Sequence, residues 1–528
     1  MASHLDPTGL SRRRLLQIGG TLAAVWGTGA LAGCSSDDPK SSSDASAGKP
    51  VKGGVLTLGM IGSGAAEQLD PLPYSTGYPD IVRQYCLYDS LFFAGAEFGQ
   101  IDPGLAVSAE PNATADEWIL TLRDGVEFHD GKPFGAEDVV YTFQQWGLPT
   151  SAANASMAPF VDFKGVRQDG PLTVRVPLVR PVAQFDTLLV SNSCLVIQAG
   201  SKSADRLSAP VGTGPFVFES LTPGKTSTFN AFDSYWDEGK PYVDQVVVNS
   251  SFDDENARLN ALLSGAINVL PLLTPLQTKQ NEGSSQIQVK TSETGITRFF
   301  SMNTDKEPFG DERIRQAIRL AADRQALVDG ALSGYGVPAY DLFGRGSKYF
   351  AQDLVREQNL EEAKSLLASA GAADLQIEIS TSNAVAGFVE AATLLSEQLK
   401  GAGIDAKVKV IPAANYFLPS SGFPHALGMD TTTATPSLSA VWSLNWLPYE
   451  GGSAAMDPDQ LNQAMAAIDP QQAEQLWTDY QQWQFDKGAF LGWADGDAMD
   501  AMANGVQGLG PTKAGSLNGY RLVDGWIS

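Results

Sequence analysis

Leu375-Gln376-Ile377-Glu378-Ile379, Phe388-Val389-Glu390-Ala391-Ala392-Thr393-Leu394-Leu395 and Ile404-Asp405-Ala406-Lys407-Val408-Lys409-Val410 are the three pieces of residues 375–410 that decide the fold class. In the first, Leu375, Ile377 and Ile379 alternate with other residues, the period of a strand. Residues 388–400 follow with helical spacing, and then Ile404, Ala406, Val408 and Val410 alternate again. Strand, helix and strand in that order predict parallel strands joined by a right-handed crossover, hence an α/β protein. Working outward, Asn359-Leu360-Glu361-Glu362 reads as a capping box, and Gly371 as a stop after Leu366, Leu367 and Ala370. Residues 311–332 predict a helix capped by Asp311, with Ile314, Ala317, Ile318 and Ala321 on one stripe. Residues 136–146 predict another, on Ala136, Val139, Val140, Phe143 and Trp146. The run from Gly53 to Gly59 reads as a first strand bounded by glycines.

The chain has 528 residues, with 36 Lys and Arg against 60 Asp and Glu and a formal net charge of −24. Single cores stop growing at about 250–300 residues, so at least two lobes are expected. With 43% apolar and 18% charged residues, a large core is available and a disordered chain is excluded. The acidic balance argues against nucleic acid as a partner, since binding it needs a basic face to displace counterions.

Residues 1–34 read as a leader. Ser11-Arg12-Arg13-Arg14-Leu15-Leu16 has the form of a twin-arginine export signal, followed by a moderately apolar run over residues 18–32. That run is too short for a membrane span, which needs about 20 apolar residues. Leu31-Ala32-Gly33-Cys34 resembles a lipobox, in which Cys34 is cleaved to become the new terminus and carries a lipid anchor. The alternative is an ordinary signal peptide with an incidental Cys34. Residues 35–52 are expected to form a flexible tether.

The search for reaction chemistry returns no catalytic constellation. G-x-S-x-G, G-x-x-x-x-G-K-[ST], H-E-x-x-H and G-x-G-x-x-G are all missing from the sequence. Of three His, His4 lies in the leader, which leaves His129 and His425 and makes a His triad or multi-His metal site hard to build. No catalytic residue, cofactor or metal site is therefore expected. Asp253-Asp254-Glu255 and Asp495-x-Asp497 lack calcium-loop spacing and read as helix starts or solvated loops. Three Cys without a C-x-x-C pair exclude a disulfide scaffold. Cys86 and Cys194 either form a disulfide closing a long loop or are two separately buried thiols.

Several segments together resemble the family 5 extracellular solute-binding proteins, receptors of ABC importers for peptides, nickel and other solutes. The opening Gly53-Gly54-Val55-Leu56 with Leu69-Asp70-Pro71 is similar to the family's first strand and loop. Residues 120–133, ending Phe128-His129-Asp130-Gly131-Lys132-Pro133, followed by Ala136-Glu137-Asp138-Val139-Val140, resemble its most diagnostic run. Gly212-Thr213-Gly214-Pro215-Phe216, Tyr235-Trp236, residues 261–268, Phe300-Ser301-Met302-Asn303 and residues 309–318 supply further landmarks in order. Departures stand at Gly135, where Thr or Ser is usual, predicting a poorer helix cap, and at Ala266 and Asn268, where an acidic pair is usual. His129 is expected to be a hydrogen-bonded turn residue.

The resemblance implies a two-lobe periplasmic-binding-protein-like clamp with a two-strand hinge. Lobe I is discontinuous, from residues 53–90, 208–295 and 496–528, with an inserted subdomain over 91–207; lobe II spans 296–495. It implies a lipid-anchored receptor, not an enzyme, exported to the outer face of the cytoplasmic membrane. The receptor acts as a monomer that captures a solute and delivers it to an ABC permease and ATPase complex. An oligopeptide or modified peptide leads as ligand. A neutral oligosaccharide, a metal chelate or a non-transport sensor role are the alternatives. Peptide-binding members hold the ligand's amine with an Asp near Pro436, where this chain has Thr435, and Asp430 lies several residues earlier. The candidate ligand contacts are Met60, Ser63 and Tyr78 on one side, and Asp430, Thr433, Thr435, Trp442, Asn445 and Trp446 on the other.

Overall fold

The computed structural model describes residues 49–75, 77–413, 415–432, 437–442 and 446–528. The leader, Cys34 and most of the tether lie outside the described residues. β1 (Val55–Ile61) turns Leu56, Leu58 and Met60 into the core, the period-two consequence of strand geometry. α1 (Tyr78–Leu87) buries Val82, Cys86 and Leu87 in the same core. β2 (Phe216–Thr222), β3 (Thr226–Ala231) and β4 (Gln245–Phe252) are antiparallel to one another, and β4 lies parallel to β1. β5 (Val269–Leu270) and the long β6 (Ile287–Met302) lead into the remaining half. There β7 (Gln376–Ser382), α2 (Phe388–Lys400) and β8 (Asp405–Ile411) form the predicted β-α-β unit, with β7 and β8 parallel from Gln376↔Asp405 to Ser382↔Ile411. β9 (Leu427–Thr431), α3 (Trp446–Gly451) and the long β10 (Phe490–Ala503) follow. The principal sheet runs β9-β6-β10-β5-β1-β4-β3-β2, with Gly336–Val337 added along β10. A separate four-stranded antiparallel sheet is built from Ala106–Pro111, Glu117–Leu122, Thr173–Pro177 and Arg167–Gln168. Among the described residues, no helix is long and apolar enough to cross a membrane.

β6 and β10 span 16 and 14 residues, against a usual strand of about five or six. They pair antiparallel from Ile287↔Ala503 to Ser301↔Phe490. Between them they feed three apolar cores. Phe299 and Phe490 enter the largest, Phe300, Leu491 and Trp493 a second drawn wholly from residues 300–494, and Ile287, Met499 and Ala501 a third. The ladder is interrupted between Ser292 and Ile296. Backbone groups freed there need partners, and threonines supply them. Thr294 Oγ1 donates to the Gly496 carbonyl at 2.6 Å and accepts from the Ile296 N–H at 3.0 Å. The Thr297 N–H donates to Thr432 Oγ1 at 2.8 Å, and Thr297 Oγ1 donates to Asp495 Oδ1 at 2.6 Å. Asp495 is 3% exposed, and burial raises its pKa to about 7, partly offset by the Thr297 hydrogen bond and by Arg345.

One sequence expectation is corrected here, and one left open is decided. Residues 311–332 form two helices, Glu312–Ala321 and Arg324–Ala331, because Asp323 caps the second by accepting from the Ala326 N–H. Cys86 and Cys194 are not paired; each is a free, buried thiol. The cap at Gly135 is rescued from inside the helix, since the Asp138 carboxylate accepts from the Gly135 N–H at 2.9 Å. Asp254 is a helix start, accepting from the Ala257 N–H at 2.8 Å.

His129 is the hydrogen-bonded turn residue expected of it. Its N–H donates to the Gly212 carbonyl at 2.9 Å, Nδ1 accepts from the Gly212 N–H at 3.3 Å, and Nε2 lies 2.9 Å from the Gly214 carbonyl. Burial lowers its pKa to about 4, so the ring works neutral as a tie between two segments. The Gly212–Gly214 backbone lies directly against α1's last turn. A Cβ on Gly212 would stand on the Leu87 carbonyl oxygen, and one on Gly214 would reach 2.5 Å from the Leu87 carbonyl carbon. Gly212→Ala is therefore expected to lower unfolding stability by about 1–3 kcal/mol or more, read by denaturant unfolding. A second prediction concerns Asp495. An acid whose pKa is raised on folding binds its proton more tightly in the folded state, so stability falls as pH rises from about 4 to about 7. Asp495→Asn removes that term. The stability difference between variant and parent should move in favour of the variant by up to a few kcal/mol across that window. An unchanged difference between pH extremes would rule the assignment out.

Candidate ligand-binding site

The site begins with what holds α1. Arg83 is fully buried, with Nη2 2.8 Å from Glu67 Oε2 and Nη1 3.1 Å from Asp80 Oδ1. Its remaining donors go to Ser227 Oγ on β3 and Ser250 Oγ on β4, each at 2.8 Å. Removing one partner of such a buried set costs about 3–5 kcal/mol, so the helix is rigidly seated. Its first residue is Tyr78, preceded by Gly77, where a Cβ would come within 2.7 Å of Ser63 Oγ. The Tyr78 ring lies 5.9 Å from that of Tyr520 and is 46% exposed. Its phenol pKa is nevertheless raised, first by desolvation, with Arg298 pulling it down and Asp430 pushing it up.

Arg298 and Asp430 come from the other end of the long strands. On the β6–β9 ladder Arg298 pairs with Thr431 and Phe299 with Asp430, so Arg298 and Asp430 start on opposite faces. Both charges act on the Tyr78 phenol, in opposite senses. Arg298 Nη1 donates to the Ala386 carbonyl at 2.9 Å, while Nε is buried with no partner. Desolvation lowers its pKa to about 10, leaving it a cation at neutral pH with hydrogen-bonding capacity in hand. Asp430 is half-buried, its Oδ1 accepting from the Thr431 N–H at 2.7 Å, and Glu450 of α3 is 2% exposed. Desolvation raises both carboxyls, and Asp430 raises Glu450 further, well above the ordinary glutamate value. The result is an arginine, two tyrosines and an acid pair gathered from α1, β6, β9, α3 and the C-terminal segment. Such a set can hold a ligand that carries both signs of charge.

Of the residues expected from sequence, Tyr78 and Asp430 are brought together, and Ser63 supports the start of α1. Met60 is not a contact: at 2% exposure it belongs to the core, because it shares the inward face of β1 with Leu56 and Leu58. Thr433, Thr435 and Asn445 lie outside the described residues, as do the side chains of Trp442 and Trp446. Arg298, Glu450 and Tyr520 were missed. Arg298 left a weak signal, a cation directly before the buried pair Phe299-Phe300. Glu450 left none, since Tyr449-Glu450-Gly451-Gly452 reads as a solvated turn. Among the described residues, no group of three His, Cys, Asp or Glu could hold a metal ion.

The model of the bacterial extracellular solute-binding proteins, family 5, matches residues 100–452, about two thirds of the chain. The oligopeptide-binding protein AppA of Bacillus subtilis is 27% identical over 407 residues, covering 72% of this chain and 74% of that protein. Among solved structures, AgaA of Agrobacterium tumefaciens with agropinic acid superposes with a TM-score of 0.76 at 23% identity, over 90% of this chain and 99% of that one. The periplasmic binding protein DppA of Helicobacter pylori with the peptide STSA gives 0.76 at 21% identity, over 90% and 98%. With this match over most of its length and the fold shared across nine tenths of it, the chain belongs to the bacterial extracellular solute-binding proteins of family 5.

Proposed function

We propose that this chain is the substrate-binding receptor of an ABC importer for oligopeptides or modified peptides. It captures the ligand between two lobes and hands it to a membrane permease and ATPase complex, catalysing nothing itself. The observation that carries the reading is the charge layout around Tyr78, with Arg298 available for a carboxylate and Asp430–Glu450 for an ammonium group. A zwitterionic peptide satisfies both, and the names of AppA and of the peptide-bound DppA point the same way. A neutral oligosaccharide would leave these enclosed charges without counter-charges, which weighs against it. The interrupted pairing of β6 and β10 is the place where the lobes would hinge, ligand contacts to both lobes favouring closure. Twin-arginine export, a lipid anchor on Cys34, a location at the outer face of the cytoplasmic membrane and action as a monomer complete the proposal.

Native mass spectrometry of the protein purified from a rich medium tests it, by releasing and fragmenting whatever the cleft carries. A ladder of peptides is the expected outcome, and a single sugar-like or chelate mass would overturn it. Asp430→Asn should reduce the retained peptide at least about tenfold. Its thermal midpoint should hold or rise, because a buried carboxyl has been replaced by a neutral isostere.

A further inference from the structure

Residues 517–520 turn with the left hand. Leu517, Asn518, Gly519 and Tyr520 all have positive φ, at 48°, 52°, 70° and 67°. The Tyr520 N–H donates to the Ser516 carbonyl at 3.0 Å, and the Arg521 N–H donates to the Leu517 carbonyl at 3.1 Å. The segment is therefore one turn of left-handed α-helix. In that hand each L-residue brings its Cβ against the following carbonyl oxygen, and glycine relieves this at Gly519 alone. Single residues of this kind are ordinary in loops. Four in succession persist only where the surrounding structure over-determines them, and such places cluster at ligand sites. Here the surrounding structure is Asp500 of β10, which is fully buried. Its Oδ2 accepts from the Leu517 N–H at 2.8 Å, and its Oδ1 accepts from Ser516 Oγ at 2.6 Å and from the Leu272 N–H at 3.0 Å. Leu517 is itself sunk in the core, and Thr512 Oγ1 donates to Asn518 Oδ1 at 2.9 Å.

The turn ends on Tyr520, whose ring stands 5.9 Å from that of Tyr78 at an interplanar angle of 39°. Tyr520 is half-buried and Tyr78 is exposed, so the two rings make one aromatic surface that solvent still reaches. We propose that the left-handed turn exists to present Tyr520 beside Tyr78 as a floor for an apolar or aromatic side chain of the ligand, with Asp500 as the positioning residue that holds it. The inference rests on the peptide reading above. The hand of the backbone sets the direction in which the Cα–Cβ bond leaves the turn, so a right-handed turn between the same ends would aim the ring elsewhere. A carboxylate suits the clamp because it only accepts, and three donors converge on it from two segments. The amide of an Asn would offer one acceptor atom in place of two.

The test offers a mixed-sequence tetrapeptide library to the parent protein and to Tyr520→Ala, with captured peptides identified by native mass spectrometry and fragmentation. The parent is expected to enrich peptides with an apolar or aromatic side chain at one position. Tyr520→Ala should lose that enrichment and bind the best captured peptide about tenfold more weakly. Tyr520→Phe keeps the ring and should retain both. Asp500→Asn should weaken the same peptide in the parent but no further in the Tyr520→Ala background, because a residue acting through Tyr520 has nothing left to position there. An Asp500 that served stability alone would lower the thermal midpoint and the affinity alike in both backgrounds. If Asp500→Asn does not fold, Ser516→Ala removes one donor of the clamp and carries the same cycle. No peptide captured by the parent overturns the peptide reading, and this inference with it. Equal enrichment and affinity in Tyr520→Ala, or an additive cycle, would sink the role of the turn while leaving the peptide reading standing.

Discussion

The antiparallel pairing of β6 with β10 is the constraint on which everything else hangs. Each strand is continuous through residues that belong to all three cores, so the cores cannot be displaced independently without disturbing this one ladder. The interruption between Ser292 and Ile296 falls inside that ladder, with a threonine cluster in place of regular hydrogen bonds. Side-chain hydroxyls rotate to follow a shifting partner, which backbone amides locked in a ladder cannot do. The buried Asp495, which accepts from Thr297 Oγ1, adds a group whose charge state bears directly on that interruption.

The candidate site inherits its character from the same strands. Tyr78 is presented by a helix pinned through Arg83 to β3 and β4, on one side of the break. Arg298 and Asp430 are presented by β6 and β9, on the other. The charges of Arg298 and Asp430 thus both lie on one side of the break, and the phenol of Tyr78 on the other. Keeping Arg298 short of full satisfaction costs stability, which is the usual mark of a position kept for something other than folding.

Much of the architecture was legible because it is periodic. The alternation of Leu375, Ile377 and Ile379 and of Ile404, Ala406 and Val408 reports strand faces directly, and the structure pairs those strands in parallel. The single helix over residues 311–332 was misread because the apolar stripe continues through the break, and Asp323 caps equally well as it decorates a surface. Met60 was misplaced by reading its position after the first strand and not its face on that strand. Asp430 was visible as a charge in the segment read for ligand contacts, but Glu450 was not. Glu450 lies on a helix that packs against β6, far earlier in the chain, and no local pattern announces a tertiary contact of that kind. At Gly135 the missing cap had its remedy in view, three residues on, at Asp138.

The two buried thiols carry a consequence for how the molecule is made. Cys86 and Cys194 are filled into the core as small apolar groups, and burial raises both above the ordinary thiol range. Thiolate is the species that attacks disulfides and metals, so neither is chemically forward. The described body thus closes with no covalent crosslink, and its assembly is indifferent to the redox state of its surroundings. Reducing and oxidising surroundings present it with the same folding problem.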